Sequence, residues 1–101
     1  MSIRVMLADD HILMREGIRH LLECDSSIEI VGEVSNGEQC IEAIYKAKPH
    51  VLLLDINMPI KNGIEVLQEI RSKKLNVKVL ILTVHNEIEY LLKAMDIGVD
   101  G

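Results

Sequence analysis

Short apolar runs separated by stretches of helical period constrain this chain more than any other feature. The runs are Ile3-Arg4-Val5-Met6-Leu7-Ala8, Val51-Leu52-Leu53-Leu54 and Val77-Lys78-Val79-Leu80-Ile81-Leu82. The second is bounded by Lys48-Pro49 and Met58-Pro59, so it is punctuated on both sides. Runs this continuous read as strands buried on both faces, as in a parallel sheet. Residues 28–34, Ile28-Glu29-Ile30-Val31-Gly32-Glu33-Val34, partly alternate and suit a strand near the sheet edge. Between these strands, apolar residues recur at helical spacing. Met14, Ile18, Leu21 and Leu22 form the first stripe, within residues 11–23, and Cys40, Ile44 and Ala47 form the second, opened by Ser35-Asn36-Gly37. A third helix is predicted from near Gly63, with Ile64, Leu67 and Ile70 inward, and a fourth from near Asn86, with Ile88, Leu91, Leu92 and Met95 inward and Gly98 as C-cap. Repeated βα units imply an α/β domain built on a parallel sheet.

The 101 residues suffice for one domain with a modest core. A net charge of −5 argues against gripping a nucleic-acid backbone, and without Trp or Phe, with only Tyr45 and Tyr90, no base-stacking platform exists. No apolar stretch approaches a membrane span and the N-terminus lacks a signal-peptide layout, so a soluble, cytoplasmic chain is expected with no membrane partner. Cys24 and Cys40 are too few for a disulfide framework or a zinc motif. They are expected on helices covering opposite faces of the sheet, as reduced, partly buried small hydrophobes.

The strand ends carry the chemistry. The first run ends in Asp9-Asp10, the third strand in Asp55 and the fourth in Thr83. Open α/β sheets bind ligands at the C-terminal ends of their strands. Three carboxylates on one rim repel one another unless a cation sits among them. With oxygen ligands alone on offer, the expected ion is hard: Mg²⁺, with Mn²⁺ a substitute. A carboxylate beside such an ion can attack phosphorus, and a hydroxyl such as that of Thr83 can hydrogen-bond a phosphoryl oxygen. Each residue also has a plainer reading. A lone Asp after a strand is usually a helix cap or turn former, and Thr83 alone is more often a strand terminus. His11 and His85 flank the rim as neighbours, and His20 and His50 carry no motif. The joint occurrence of an acidic pair, an Asp and a hydroxyl at three strand ends favours a site.

With Asp9-Asp10, Asp55 followed by Met58-Pro59 and Gly63, and Thr83 in view, the chain resembles the receiver domain of bacterial two-component response regulators over all 101 residues. Leu7-Ala8-Asp9-Asp10-His11 with Arg15-Glu16-Gly17 is most similar to the NarL/FixJ (LuxR-type) subfamily, whose members usually carry a C-terminal helix-turn-helix DNA-binding domain. The resemblance implies that Asp55 accepts a phosphoryl group from a histidine kinase, while Asp10 binds Mg²⁺ directly and Asp9 mainly through water. It also implies a carboxylate oxygen of Asp55 and the Asn57 carbonyl as metal ligands. Thr83 would be the switch hydroxyl, and Asn57 and His85 would occupy positions that tune the phosphoryl lifetime. The family's motif further includes a Lys ending a fifth strand, preceded by an aromatic switch residue. Neither is reached here, and Lys93 falls within the fourth helix.

The expected fold is therefore a flavodoxin-like (CheY-like) doubly wound parallel sheet of order 2-1-3-4, its fifth position missing or supplied in trans by another copy. Right-handed crossovers put the first helix on one face and the others on the opposite face. Residues 1–101 are expected to form one receiver domain, with an output domain downstream through which DNA would be bound, and the open sheet edge is expected to favour self-association. The function expected is that of a phosphoacceptor signalling module rather than an enzyme, beyond assisting its own phosphoryl transfer and hydrolysis. A stand-alone receiver or phosphorelay intermediate is an alternative. A haloacid-dehalogenase-type phosphatase is less favoured, because Asn57 stands where that class needs a second Asp. A nucleotide or flavin module is weaker still, for no phosphate-binding glycine loop follows the first strand.

Overall fold

The computed structural model of the chain describes residues 2–55 and 58–82. Along them run β1 (Ile3–Ala8), α1 (Ile12–Glu23), β2 (Ile28–Val34), α2 (Gly37–Ala47), β3 (Val51–Asp55), α3 (Gly63–Ser72) and β4 (Lys78–Leu82). All strand pairings are parallel and the order is β2-β1-β3-β4, the doubly wound arrangement expected from the sequence. Thr83, Asn57, His85 and the helix expected near Asn86 lie outside the described residues.

The register places the strand ends side by side. Ala8 pairs with Leu54 and Val51 with Lys78, so β1, β3 and β4 run in step and their C-terminal ends share one rim. At the opposite end His50 locks β1 to β3. Its N–H donates to the Arg4 carbonyl at 2.8 Å, and its Nδ1 accepts the Arg4 N–H at 3.0 Å. A histidine without a motif thus has a structural task. β2 slips once against β1, where Val5 pairs with Ile30 but Met6 with Gly32, leaving Val31 as an extra residue.

Period-2 alternation divides the strands between two faces. Met6, Ala8, Leu52, Leu54 and Val79 point to the face that α2 and α3 cover, where they form one core with Cys40, Ile41, Ile44, Ile64, Val66, Leu67 and Ile70. The stripes expected for α2 and α3 are present, widened by Ile41 and Val66. Asn36 caps α2 by accepting the Gln39 N–H at 3.0 Å, and α2 ends at Lys48, a left-handed residue with φ of 49° before Pro49. α3 begins in a capping box: Asn62 accepts the Glu65 N–H at 3.0 Å, and the Glu65 side chain accepts the Asn62 N–H at 3.2 Å.

α1 is different. None of its residues is buried, and Leu21, expected to point inward, is 75% exposed. Charged contacts also tie the helix to the sheet. Arg15 Nε and Arg19 Nη1 reach Glu33 of β2 at 3.2 and 3.8 Å, and Arg15 Nη1 donates to the Asp9 carbonyl at 2.8 Å. Met14, Ile18 and Leu22 turn partly inward, while Leu13 and Leu21 fall on the outer stripe of the same helix. Cys40 is buried as expected but Cys24, at the end of α1, is exposed; both are free thiols. Burial pushes the Cys40 thiol up to about 12, against a smaller opposing effect of Lys61, so this sulfur is inert at neutral pH. Among the described residues no helix is long and apolar enough to cross a membrane.

Candidate functional site

Asp55 is the last residue of β3, and Asp9 and Asp10 follow β1 directly. Because β1 and β3 are neighbours in register, the two strand ends deliver three carboxylates to one spot. One ligand atom from each of Asp9, Asp10, His11 and Asp55 can be chosen so that all lie within 4.8 Å of one another. Asp9 and Asp55 are each 2% exposed, whereas Asp10 is only partly covered. Burying carboxylates is costly unless charge or hydrogen bonds compensate.

His11 supplies part of that compensation. Its Nδ1 lies 3.0 Å from Asp9 Oδ1, 3.1 Å from Asp10 Oδ1 and 3.4 Å from Asp55 Oδ2. The hydrogen bond to Asp9 raises the imidazole pKa above its ordinary value; desolvation opposes this, and the fields of Asp10, Asp9 and Asp55 add to the rise. The ring is therefore more than a flanking neighbour: it touches all three acids. A nitrogen thus stands beside the carboxylate oxygens expected from the sequence. His11 is separated from Asp9 by one residue, and only the turn after β1 folds it back over the rim.

That turn shows the plainer role of Asp9 coexisting with the chemical one. Asp9 Oδ1 accepts the His11 N–H at 2.8 Å, closing the entry to α1, where His11 is the N-cap but makes no side-chain cap of its own. The other oxygen, Asp9 Oδ2, is buried and accepts no hydrogen bond from any described residue. A buried carboxylate oxygen left in this way fits a cation or its water shell. Three hard carboxylates around that position match a divalent ion that prefers oxygen. Of the sequence-expected ligands, Asp9, Asp10 and Asp55 are brought together, while Asn57, like the expected switch hydroxyl of Thr83, falls outside the described residues.

Residues 58–62, ahead of α3, are fixed by contacts the sequence did not reveal. Met58 is buried in the α2–α3 core and Asn62 is held in the capping box. Between them Lys61 sits with its backbone against Gly37 and its amine paired with Glu69. The only sequence signal for the first of these contacts was a glycine at the start of a helix, where a better helix former could stand.

A family model described as a response regulator receiver domain matches residues 5–101. The chain is 40% identical to the nitrate/nitrite response regulator protein NarL of Escherichia coli strain K12 over 97 residues, covering 96% of this chain and 45% of that protein. Among solved structures, the signal receiver domain of the putative response regulator NarL from Mycobacterium tuberculosis superposes with a TM-score of 0.91 at 36% identity, covering 97% of this chain and 79% of the other. A DNA-binding response regulator of the LuxR family from Staphylococcus aureus gives the same TM-score, 0.91, and identity, 36%, with 97% of this chain and 82% of the other covered. The chain thus spans about half the length of the curated relatives it matches.

Proposed function

The chain belongs to the response regulator receiver family, of the NarL/LuxR type, and from that membership we propose that it is a phosphoacceptor switch whose Asp55 takes a phosphoryl group from a histidine kinase. The observation that carries this reading is the convergence of Asp9, Asp10 and Asp55 at one rim, with Asp55 ending the central strand β3. In the transfer, an Asp55 carboxylate oxygen bonds to phosphorus, the phosphorus–nitrogen bond of the donor phosphohistidine breaks, and the departing imidazole takes a proton. Asp55 must be ionised to attack, and its position at the end of a buried strand fixes the carboxylate without a flexible loop. Asp10 and Asp55 would hold Mg²⁺, or Mn²⁺, with Asp9 acting through water and the Asn57 carbonyl completing the protein ligands. The ion would supply neutralising charge for the phosphoryl oxygens.

Asp9 has a second part in this reading. It holds His11 by ring and by backbone, which keeps the imidazole over the carboxylates. Thr83 would hydrogen-bond the phosphoryl group and report its arrival. The module transfers and loses a phosphoryl group and turns over no separate substrate. A helix-turn-helix domain in the whole protein would convert the switch into control of transcription, and a kinase partner would place the chain in the cytoplasm.

Acetyl phosphate with Mg²⁺ tests the reading on the complete protein. One added phosphoryl group is expected by mass spectrometry, and none on Asp55→Asn, which keeps the shape and removes the nucleophile. A phosphoryl group retained on the Asn variant would assign the acceptor elsewhere.

A further inference from the structure

From the contacts at the end of β1, we infer that Arg15 is a positioning residue for the acidic pair Asp9-Asp10, and through it for the cation site. This rests on the Mg²⁺-dependent reading above. Arg15 lies in the first turn of α1, and long helical side chains lean toward the helix N-terminus, so this one reaches back over the end of β1. Its Nη1 donates to the Asp9 carbonyl at 2.8 Å and to the Val34 carbonyl at 3.4 Å, while its Nε lies 3.2 Å from Glu33 Oε1. One planar guanidinium thus binds the ends of β1 and β2 together. An ammonium on a flexible stem has no such fixed fork.

The Asp9 carbonyl is the decisive contact, because it belongs to the peptide that joins Asp9 to Asp10. A planar peptide carries the Asp10 nitrogen and Cα with its oxygen, so a held carbonyl fixes the direction in which Asp10 leaves the strand. The rest of Asp9 is committed too. Its N–H donates to the Val34 carbonyl at 3.1 Å, and its Oδ1 accepts the His11 N–H at 2.8 Å. The buried Oδ2 is thereby left facing a cation or its water. Helix stability does not account for Arg15: a helix N-terminus favours acidic residues, yet the first turn of α1 has none and carries this cation. Its field does not account for it either. A guanidinium beside a cation site repels the ion, so charge alone predicts tighter Mg²⁺ binding when Arg15 is removed. Positioning predicts the opposite sign.

Arg19 provides the control, since it carries the same charge on the same helix and pairs with the same Glu33, at 3.8 Å. In the complete protein, held well below its unfolding temperature, Arg15→Met is expected to weaken Mg²⁺ binding by about tenfold or more, the usual effect of removing a group that orients metal ligands. Arg15→Lys keeps the charge and one donor, so it is expected to recover part of that loss but not all of it. Arg19→Met is expected to cause no weakening. A purely structural arginine would lower the melting temperature and leave the affinity of the folded protein intact. Wild-type or tighter binding in either folded Arg15 variant therefore overturns the positioning role, and the Lys variant decides alone should Arg15→Met not fold. Equal weakening in Arg19→Met would also overturn it, by tracing the effect to Glu33 rather than to the Asp9 carbonyl. NMR of the metal-free protein supplies an independent readout: the Asp10 amide nitrogen should shift in Arg15→Lys and stay in place in Arg19→Met. An unmoved Asp10 amide in Arg15→Lys would overturn the inference. A wild-type protein that binds no Mg²⁺ would sink the metal-dependent reading, and the Asp10 amide would then decide by itself whether Arg15 positions the acidic pair.

Discussion

At the scale of single residues, the acidic pair and Asp55 were legible because strand ends can be read from runs and prolines, and parallel strands must bring their ends to one rim. His11 was legible only as a neighbour, since a turn of three residues decides whether its ring faces solvent or the acids. That geometry has a measurable consequence. In metal-free protein the His11 ring should titrate above 6.5, first because of its hydrogen bond to Asp9 and then because of the surrounding carboxylates. The sign follows from linkage: a group whose pKa is raised on folding contributes stability that is fully present below its unfolded pKa. That contribution is lost as pH rises through the folded value. Mg²⁺ should pull the His11 pKa back down, because the ion occupies the carboxylates and repels an imidazolium. Proton NMR of the ring across pH, with and without Mg²⁺, measures both effects. A metal-free His11 titrating at or below 6.5 would show that the contacts with Asp9, Asp10 and Asp55 do not hold it.

At the scale of elements, legibility followed the number of partners each element has. α2 and α3 are pressed between each other and the sheet, so the apolar stripes Cys40–Ile44 and Ile64–Leu67–Ile70 had to be buried and could be read from period alone. α1 packs chiefly on β2 and is tied by Arg15 and Arg19 to Glu33, so its stripe predicted the helix but not which leucines would be covered. Close backbone approach, as at Gly37, leaves no periodic trace and escaped the sequence reading altogether. α3 carries the most local determinant, its capping box, and the box also anchors the residues just ahead of it. Asn62→Ala removes the acceptor for the Glu65 N–H and should lower stability by about 1 kcal/mol. Chemical denaturation reads this directly, with the midpoint falling and the slope unchanged. An unaltered midpoint would mean that α3 is held by its buried face, Val66, Leu67 and Ile70, with no contribution from its cap.

At the scale of the whole molecule, the two faces of the sheet are unequally served. One carries a dry core of α2, α3 and strand residues, whereas the helix on the other leaves Ile12 60%, Leu13 84% and Leu21 75% exposed. Leu13, Gly17 and Leu21 recur every fourth residue, so they line one stripe of α1 with only a glycine between the leucines. On the outer side of β4 no further strand pairs among the described residues. An apolar helix stripe favours association with another chain, as would any strand edge without a partner. Covering ~300 Å² of apolar surface contributes on the order of 7 kcal/mol before association costs are subtracted. That is comparable with the entire stability of a small domain, so a second copy is an effective cover. The 101-residue chain should therefore self-associate as its concentration rises, which analytical sedimentation measures. Leu13→Glu combined with Leu21→Glu separates the two surfaces: loss of association locates it on α1, and its persistence locates it on the β4 edge. A single monomeric species over a wide concentration range, with cooperative unfolding, would show that neither surface drives pairing and that the α2–α3 core alone sustains the fold.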